Sequence, residues 1–528
     1  VPQIVAAVLA GYNARFPAPL LLLADTYPAR EYTVQYGETD HDFVCRLLAD
    51  AGIAFFFDHA SASAFTLVDD TTLFSPTLAA SIPFVAPGNL NPQNASSPHV
   101  SAVVITSSIE TSATTIRDYD FEKPRFLLEA KGPALASTFS NEGNLEAYAF
   151  EVGAFKVQAE GDARAERLLQ EARRAHHLLR CETSFSLGAG TRMTLVNHPR
   201  SDVAGDLLVT TVHSVSQAQL NNPVTSHRLE CANAAEPFRP TRIERPRALG
   251  TQTATVVGAS GEEIDVDNYG RVEVEFPWDR RDRHAGGTSR RVRVSQAWAG
   301  AGYGFVTLPR VGDEVVIAYL DGDPDEPLVV GRVHNAVVPT PLNLPAEKTQ
   351  SVWRSRSSPG GGGYNEIRME DAAGAEVLSM HAERDFVQDV VHESFVTVGK
   401  NHSVTVGGNA ATAVTGDQSL NVAGAYSIKA AAGIRMETNE LDIEASSFIH
   451  ITTPGERIDK SANHIIDANA VYVKGAEVVQ VTGPRFHVFC DEIMLKAGGS
   501  TIKLGGGGIT IESDGVVDVK GALIKLNS

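Results

Sequence analysis

The run from Val396 to Val422 reads Val396-Thr-Val398-Gly-Lys-Asn-His-Ser-Val404-Thr-Val406-Gly-Gly-Asn-Ala-Ala-Thr412-Ala-Val414-Thr-Gly-Asp-Gln-Ser-Leu420-Asn-Val422. Val390, Val398, Val406, Val414 and Val422 recur every eight residues without slippage. A second register, Val396, Val404, Thr412, Leu420 and Ile428, steps by eight as well. From Val398 onward it sits two residues ahead of the first. Residues two apart face the same side of a strand, whereas a helix repeats every 3.6 residues, so the octad is one strand plus one turn. Gly399 and Gly407 follow the valines, and Asn401, Asn409 and Asp417 keep a fixed polar place where a turn falls. The end of the chain repeats the theme less strictly in Ile493/Leu495, Ile502/Leu504, Ile509/Ile511, Val517/Val519 and Ile524/Leu526.

Each such strand offers only a narrow apolar face and has nothing of its own to bury it against. Three faces, one from each of three chains, would enclose a dry core as a triangular prism, with strand edges paired by neighbouring chains. The expected core is Val390, Val396, Val398, Val404, Val406, Val414, Leu420, Val422 and Ile428. If residues 365–528 all stack about 4.7 Å apart in this way, the rod is somewhat under ~100 Å long. A single-chain β-solenoid is the competing reading; its coils are usually longer than eight residues and need a capping end.

Upstream of the repeats the texture differs. Residues 1–240 read as mixed α and β. Helices are expected over Pro2 to Tyr12, from a Thr39 or Asp40 cap to a Gly52 stop, and over Asp162 to Leu179. The run Ile53 to Phe57 is expected as a buried strand, with further strands at Thr194–Val196 and Leu207–Val212. Over residues 241–336, short β-runs alternate with Gly, Pro and Asp turns. Gly270 to Phe276 alternates strictly, Arg291 to Val294 and Val315 to Tyr319 are further strands, and Asp321-Gly-Asp-Pro324 is a turn. Some five strands in so short a span predict a small barrel of the OB type. Residues 337–364, rich in Pro, Ser and Gly, read as a linker, and 365–528 as the prism. The fold class is therefore mainly β with some α.

Bulk properties restrict function. The 528 residues carry 45 Lys and Arg against 64 Asp and Glu, a net charge of −19, which lacks the basic footprint of a nucleic-acid or anionic-membrane binder. No apolar run is long enough for a transmembrane helix. The chain opens Val1-Pro2-Gln3 with no visible secretory signal, and residues are expected to precede it. Cys45, Cys181, Cys231 and Cys490 are scattered without a C-x-x-C, as expected of small core thiols in a reducing cytosol.

Chemistry-bearing motifs are sparse. Gly300-x-Gly302-x-Gly304 lacks the G-x-G-x-x-G spacing and reads as a tight turn; the Gly360–Gly363 and Gly505–Gly508 runs lack G-K-[ST]. No H-E-x-x-H or H-x-H occurs among the sixteen histidines, and His176-His177 is expected mid-helix, where neighbours point apart. No metal, cofactor or catalytic residue is expected, and the linker is too short for a catalytic domain.

Longer motifs carry a family resemblance. Tyr269-Gly-Arg-Val-Glu-Val-Glu-Phe-Pro-Trp-Asp279, Gln296-Ala-Trp-Ala-Gly-Ala-Gly-Tyr-Gly-Phe305 and Pro309-Arg-Val-Gly-Asp-Glu-Val315 resemble the barrel of VgrG proteins, the spikes of type VI secretion systems. So do Asp321-Gly-Asp-Pro-Asp-Glu-Pro327, Gly331-Arg-Val-His-Asn335 and Lys348-Thr-Gln-Ser351, then Ser355 through the four glycines to Tyr364, and Asn365 to Asp371. Upstream, Tyr32 to Phe43 and Asp118-Tyr-Asp-Phe-Glu-Lys-Pro124 are similar to the family's hub.

The resemblance implies a fused phage tail hub and spike working as a homotrimer. Residues 1–240 would be a tail-hub-like domain of barrels with helices, missing its N-terminal part; 241–336 would be an OB-fold barrel and 365–528 a triple-stranded β-helix. The hub would cap a hexameric Hcp tube. Ile524, Lys525, Leu526, Asn527 and Ser528 would face a PAAR-repeat tip protein, and effector cargo would ride on the spike. Assembly would take place in the bacterial cytoplasm, followed by injection into a target cell or the medium. Two other functions remain open at this stage: the central spike of a contractile phage or phage-like particle, and a trimeric β-helical fibre that binds or cleaves glycans.

Overall fold

The computed structural model describes residues 1–528 apart from 13–17, 59–63, 75–80, 90, 92–96, 134–140, 218–223, 281–289, 467, 469, 474–479, 484, 486, 489–491, 506–507 and 521–528. It divides into two compact parts, Val1–Val396 and Thr397–Ser528.

Helix α1 (Pro2–Ala10) starts on a proline, whose fixed φ suits a first helical turn. Helix α2 (Asp40–Ala51) is capped by Thr39, whose side chain accepts from the Asp42 amide, and stops at Gly52, φ 72°. Val5 of α1 and Phe43, Leu47 and Leu48 of α2 share a core with Ile53 and Leu67. The strand that follows, Ala54–Asp58, pairs with Ala64–Val68, itself parallel to Leu20–Leu22. It is half-buried rather than buried: Phe56 points inward while Phe55 and Phe57 are exposed. A sheet of only three strands leaves one face of an all-apolar run open.

The main hub sheet has six strands in the order Ile82–Pro83, Arg192–Val196, Gly205–Gln217, Val224–Asn233, His177–Thr183 and Val100–Ser107. Phe84 bridges in parallel to Val100, joining the two ends and closing the sheet into a barrel. Its interior holds Ile82, Val100, Leu179, Cys181, Met193, Leu195, Val209, Leu229 and Cys231. Cys45, Cys181 and Cys231 are free thiols, and Cys490 lies outside the described residues.

The third helix corrects an expectation. Helix α3 spans Gln158–Ala172, and the chain turns and becomes the barrel strand His177–Thr183 instead of continuing to Leu179. Leu168, Leu169, Ala172, Ala175 and Leu178 suit a helical stripe. Leu179, Cys181 and Thr183 are buried at two-residue spacing, however, and strands on both sides pair with this one. Closure of the barrel outweighs local helix preference. His176-His177 is consequently at a turn and strand start, with the rings 5.2 Å apart. Helix α3 packs on the small sheet Leu128–Lys131, Ala113–Asp118 and Glu146–Phe150 through Ala165, Ile116 and Ala130.

After the hub comes a five-stranded sheet ordered Glu273–Glu275, Gln252–Val257, Glu314–Tyr319, Pro327–Val333 and Arg293–Val294. Val272 and Val292 bridge its two outer strands, so this sheet closes as well. Arg293–Val294 runs parallel to Pro327–Val333 while the other pairs are antiparallel. That order is the OB topology. Val272, Val274 and Phe276, the inward set of the strict alternation, fill the core with Val256, Val315 and Ile317.

The expected linker is partly a strand. Gln350–Arg354 pairs with Glu366–Glu370, which pairs with Val377–His381. Trp353, Ile367 and Met380 lie in register across this meander. A second meander, Glu492–Ala497, Ser500–Gly505 and Gly508–Glu512, sets Leu495, Ile502 and Ile511 in register on one face. No helix among the described residues is long and apolar enough to cross a membrane.

Candidate assembly surfaces

Between His381 and Glu492 the described residues belong to no helix and no strand. Bends fall at 383–384, 391–392, 399–400, 407–408, 415–416, 423–424 and 431–432, each eight residues after the last. Val390, Val398, Val406, Val414 and Val422 each stand immediately before a bend. In the isolated chain Val398, Val406 and Val414 are 47%, 50% and 49% exposed, and Val396 and Val404 stand open at 78% and 73%. Val390, Leu420, Val422 and Ile428 are exposed as well. Backbone N–H and C=O groups need partners, and a strand finds them in a ladder with its neighbours. The segment thus presents backbone that lies in no ladder among the described residues together with a row of uncovered valines. Ile524, Lys525, Leu526, Asn527 and Ser528 lie outside the described residues.

A second constellation, not read from the sequence, joins hub to barrel. Asp50, on the last turn of α2, is 3% exposed at its side chain. Its carboxylate meets Arg30 at 2.6 Å, Arg164 of α3 at 2.8 Å, Arg242 at 3.2 Å and Arg245 at 3.3 Å. Burial alone would push this carboxyl up, but Arg164, Arg245 and Arg30 hold it well below the usual carboxylate range. Arg164 and Arg242 also bind Glu151, and Arg245 binds Asp323 of the barrel at 2.5 Å. The segment between the two barrels, Arg239-Pro-Thr-Arg242-Ile-Glu-Arg245, has no helix or strand of its own. Instead an arginine at every third position is anchored. Arg239 donates to the Gly52 carbonyl at 3.0 Å and the Asp69 carbonyl at 2.6 Å. The three-residue arginine spacing was the available signal; the single acid it converges on had none.

The same junction gathers motif residues that are far apart in sequence. The Val34 amide donates to Asp325 at 2.7 Å, and Gln252 donates to the Tyr36 hydroxyl at 2.6 Å. Tyr36 meets Trp278 edge-on at 6.3 Å, and Phe121 meets Tyr269 at 5.3 Å. Arg271 and Arg293 lie over the Phe121 ring. Gly153, φ 71°, sits so close to Glu326 that a Cβ would fall 2.1 Å from Oε1. Burial and the neighbouring Asp323 push Asp325 up to about 6. Below the barrel, the Gly360 amide donates to Glu263 and Arg310 donates to the Arg356 carbonyl, tying the glycine run to the barrel wall. Among the described residues no three His, Cys, Asp or Glu side chains are grouped to hold a metal ion.

The described residues thus hold a closed six-stranded barrel, an OB barrel clamped to it and an eight-residue repeat that forms no ladder of its own. Comparison with known proteins agrees in chain order. The phage tail baseplate hub family matches residues 1–219, the type VI secretion system/phage-baseplate injector OB domain 252–334, and the bacteriophage T4 gp5 C-terminal trimerisation domain 351–450. The Pseudomonas aeruginosa type VI secretion system spike protein VgrG4b is 40% identical over 419 residues, covering 76% of this chain and 51% of that one. VgrG5 of the same organism is 37% identical over 424 residues, covering 76% and 52%. The chain spans about half the length of these relatives. An E. coli type VI secretion component has a TM-score of 0.42 at 21% identity, covering 63% of this chain and 71% of that one. Over three quarters of its length the chain is thus similar to the VgrG spike proteins of type VI secretion systems.

Proposed function

We propose that three copies of this chain form the puncturing spike of a type VI secretion system. The octads carry the reading: apolar residues every eight positions stand uncovered on backbone that joins no strand ladder among the described residues. Two further copies supply both missing partners at once, ladder hydrogen bonds at the strand edges and a dry centre for Val390, Val396, Val398, Val404, Val406, Val414, Leu420, Val422 and Ile428. The match to a trimerisation family over 351–450 supports this occupant. In this reading the hub end seats on a hexameric Hcp tube. The far end, Ile524 to Ser528, meets a PAAR-repeat tip, and effectors travel on the assembly. The spike assembles in the cytoplasm and leaves by injection. Its role is mechanical, with no reaction chemistry in the three matched segments.

The test is the mass of the purified chain by native mass spectrometry. The 56.4 kDa chain is expected as a trimer, and a folded monomer refutes the shared core. Co-purification with Hcp and with a PAAR protein, and its loss on removing residues 521–528 for PAAR alone, tests the two ends separately.

A further inference from the structure

The hairpin Trp298–Gly300 and Tyr303–Phe305 stands apart from the five-stranded barrel sheet and pairs only within itself. Its glycines set its shape. Gly302 and Gly304 have φ of 80° and 138°, and a Cβ on Gly300 would fall 2.2 Å from the Tyr303 ring. The ring therefore lies directly on the backbone and packs edge-on against Trp298 at 5.7 Å. Two large aromatic side chains are held in one rigid arrangement, yet Trp298 is 63% and Tyr303 62% exposed. Such fixed, open aromatic surface is characteristic of contact regions.

The surface does not end at the hairpin. Phe305 meets Trp353 of the first meander at 5.4 Å, and Trp353 is in register with Ile367 and Met380. Residues two apart on a strand share a face, so the opposite face carries the Arg354–Glu366–Arg368 ion pairs. One side of the meander carries the ion pairs, closed over a buried Glu366, and the other is apolar; the Phe305–Trp353 contact extends the apolar side onto the hairpin. Trp353, Ile367 and Met380 all fall in the segment that matches the trimerisation family.

We infer that the Trp298–Phe305 hairpin is an intersubunit clasp: its aromatic face packs on a second copy of this chain. The occupant is a second copy because the apolar strip runs through Trp353 into Ile367 and Met380, inside the segment that matches a trimerisation family. This rests on the trimer reading above. The clasp orients each barrel against its neighbour.

Hydroxyl-radical footprinting of the intact chain, scored at Trp298, Tyr303 and Trp353 against the urea-unfolded chain, tests it, with native mass taken on the same sample. Single-tryptophan variants provide the second measurement: W278F/W353F leaves Trp298 alone, and W278F/W298F leaves Trp353 alone. The expected result is a trimer in which all three side chains are protected, with acrylamide quenching lost and emission shifted to the blue. A trimer in which Trp298 and Tyr303 are modified as fast as in the unfolded chain overturns the clasp and leaves the trimer standing. A monomer overturns the trimer reading, and the clasp with it.

Discussion

Replacing Asp50 by Asn changes no volume to speak of, so its cost is almost wholly electrostatic. Four arginines, Arg30, Arg164, Arg242 and Arg245, share three acids, Asp50, Glu151 and Asp323, in the wild-type cluster. The balance is 4 − 3 = +1, and the substitution makes it 4 − 2 = +2, with Arg164 only 9% exposed. Removing one partner of a buried ion pair typically costs about 3–5 kcal/mol, because the other charge is left uncompensated. The Asn carbonyl still accepts one hydrogen bond, which sets the expectation near the low end, about 3 kcal/mol. For a unit of some 150–250 residues that corresponds to a fall in Tm of roughly 6–12 °C.

Scanning fluorimetry of D50N against wild type reads this shift, and limited proteolysis reads its location, since the arginine strap at 239–247 should become the first site cut. The sign with pH is fixed. A carboxyl whose folded pKa is depressed contributes stability above its unfolded value, near 3.9, and loses it as pH falls through the folded value. The wild-type advantage should therefore be flat from pH 5 to 8 and shrink only in strong acid. D50L/R164M, which removes both charges of the pair, should recover part of the loss. A D50N protein that melts within about 1 °C of wild type and is not cut faster at the strap would refute the cluster as the clamp.

Three further substitutions probe other parts. Val406→Ala should lower trimer stability by about 3–5 kcal/mol, roughly 1–1.5 per chain in triplicate, whereas Val391→Ala, at a position 98% exposed, should be neutral; urea dissociation followed by light scattering compares them. Asp325 has its folded pKa raised to about 6, so its contribution is full below the unfolded value and lost as pH rises through 6. Against the background of Asp323, Arg245 and Arg46, wild type minus D325N should fall by up to about 3 kcal/mol between pH 4 and 7, read from denaturant midpoints. Gly161→Ala should destabilise the hub by about 1–3 kcal/mol despite the better helix former, because its Cβ would lie 2.5 Å from the Phe155 ring; the hub melting transition checks it.

The parts legible in the sequence were those where one face of an element is buried locally. Val272, Val274 and Phe276 alternate because a small barrel has one inside, and Thr39 and Gly52 bracket α2 because helix ends need caps. The octad period was legible from spacing alone: bends recur every eight residues, at 399–400, 407–408 and 415–416, just ahead of the polar places Asn401, Asn409 and Asp417 where turns were expected. The misreadings arose where partners come from far away. Leu178 continues a helix stripe while Leu179 begins a strand alternation with Cys181 and Thr183, and only the flanking strands Val100–Ser107 and Val224–Asn233 decide between the two readings. Gln350–Arg354 looked like linker because its pairing partner follows the glycine run. The Asp50 cluster was invisible because the arginines converging on it come from positions 30, 164, 242 and 245, and nothing near residue 50 signals them.

The regular bends have a further consequence for how such a shaft can vary. Each eight-residue step brings the chain back to the same point of its cycle, and at five successive steps a valine stands just before the bend. In the proposed trimer, deleting or duplicating one whole step would leave every remaining side chain on its original face and change only the reach of the assembly. An insertion of three or five residues would put the valines beyond it out of step with the shared core. Reach in such a trimer would be a digital quantity, adjustable in whole units of eight residues.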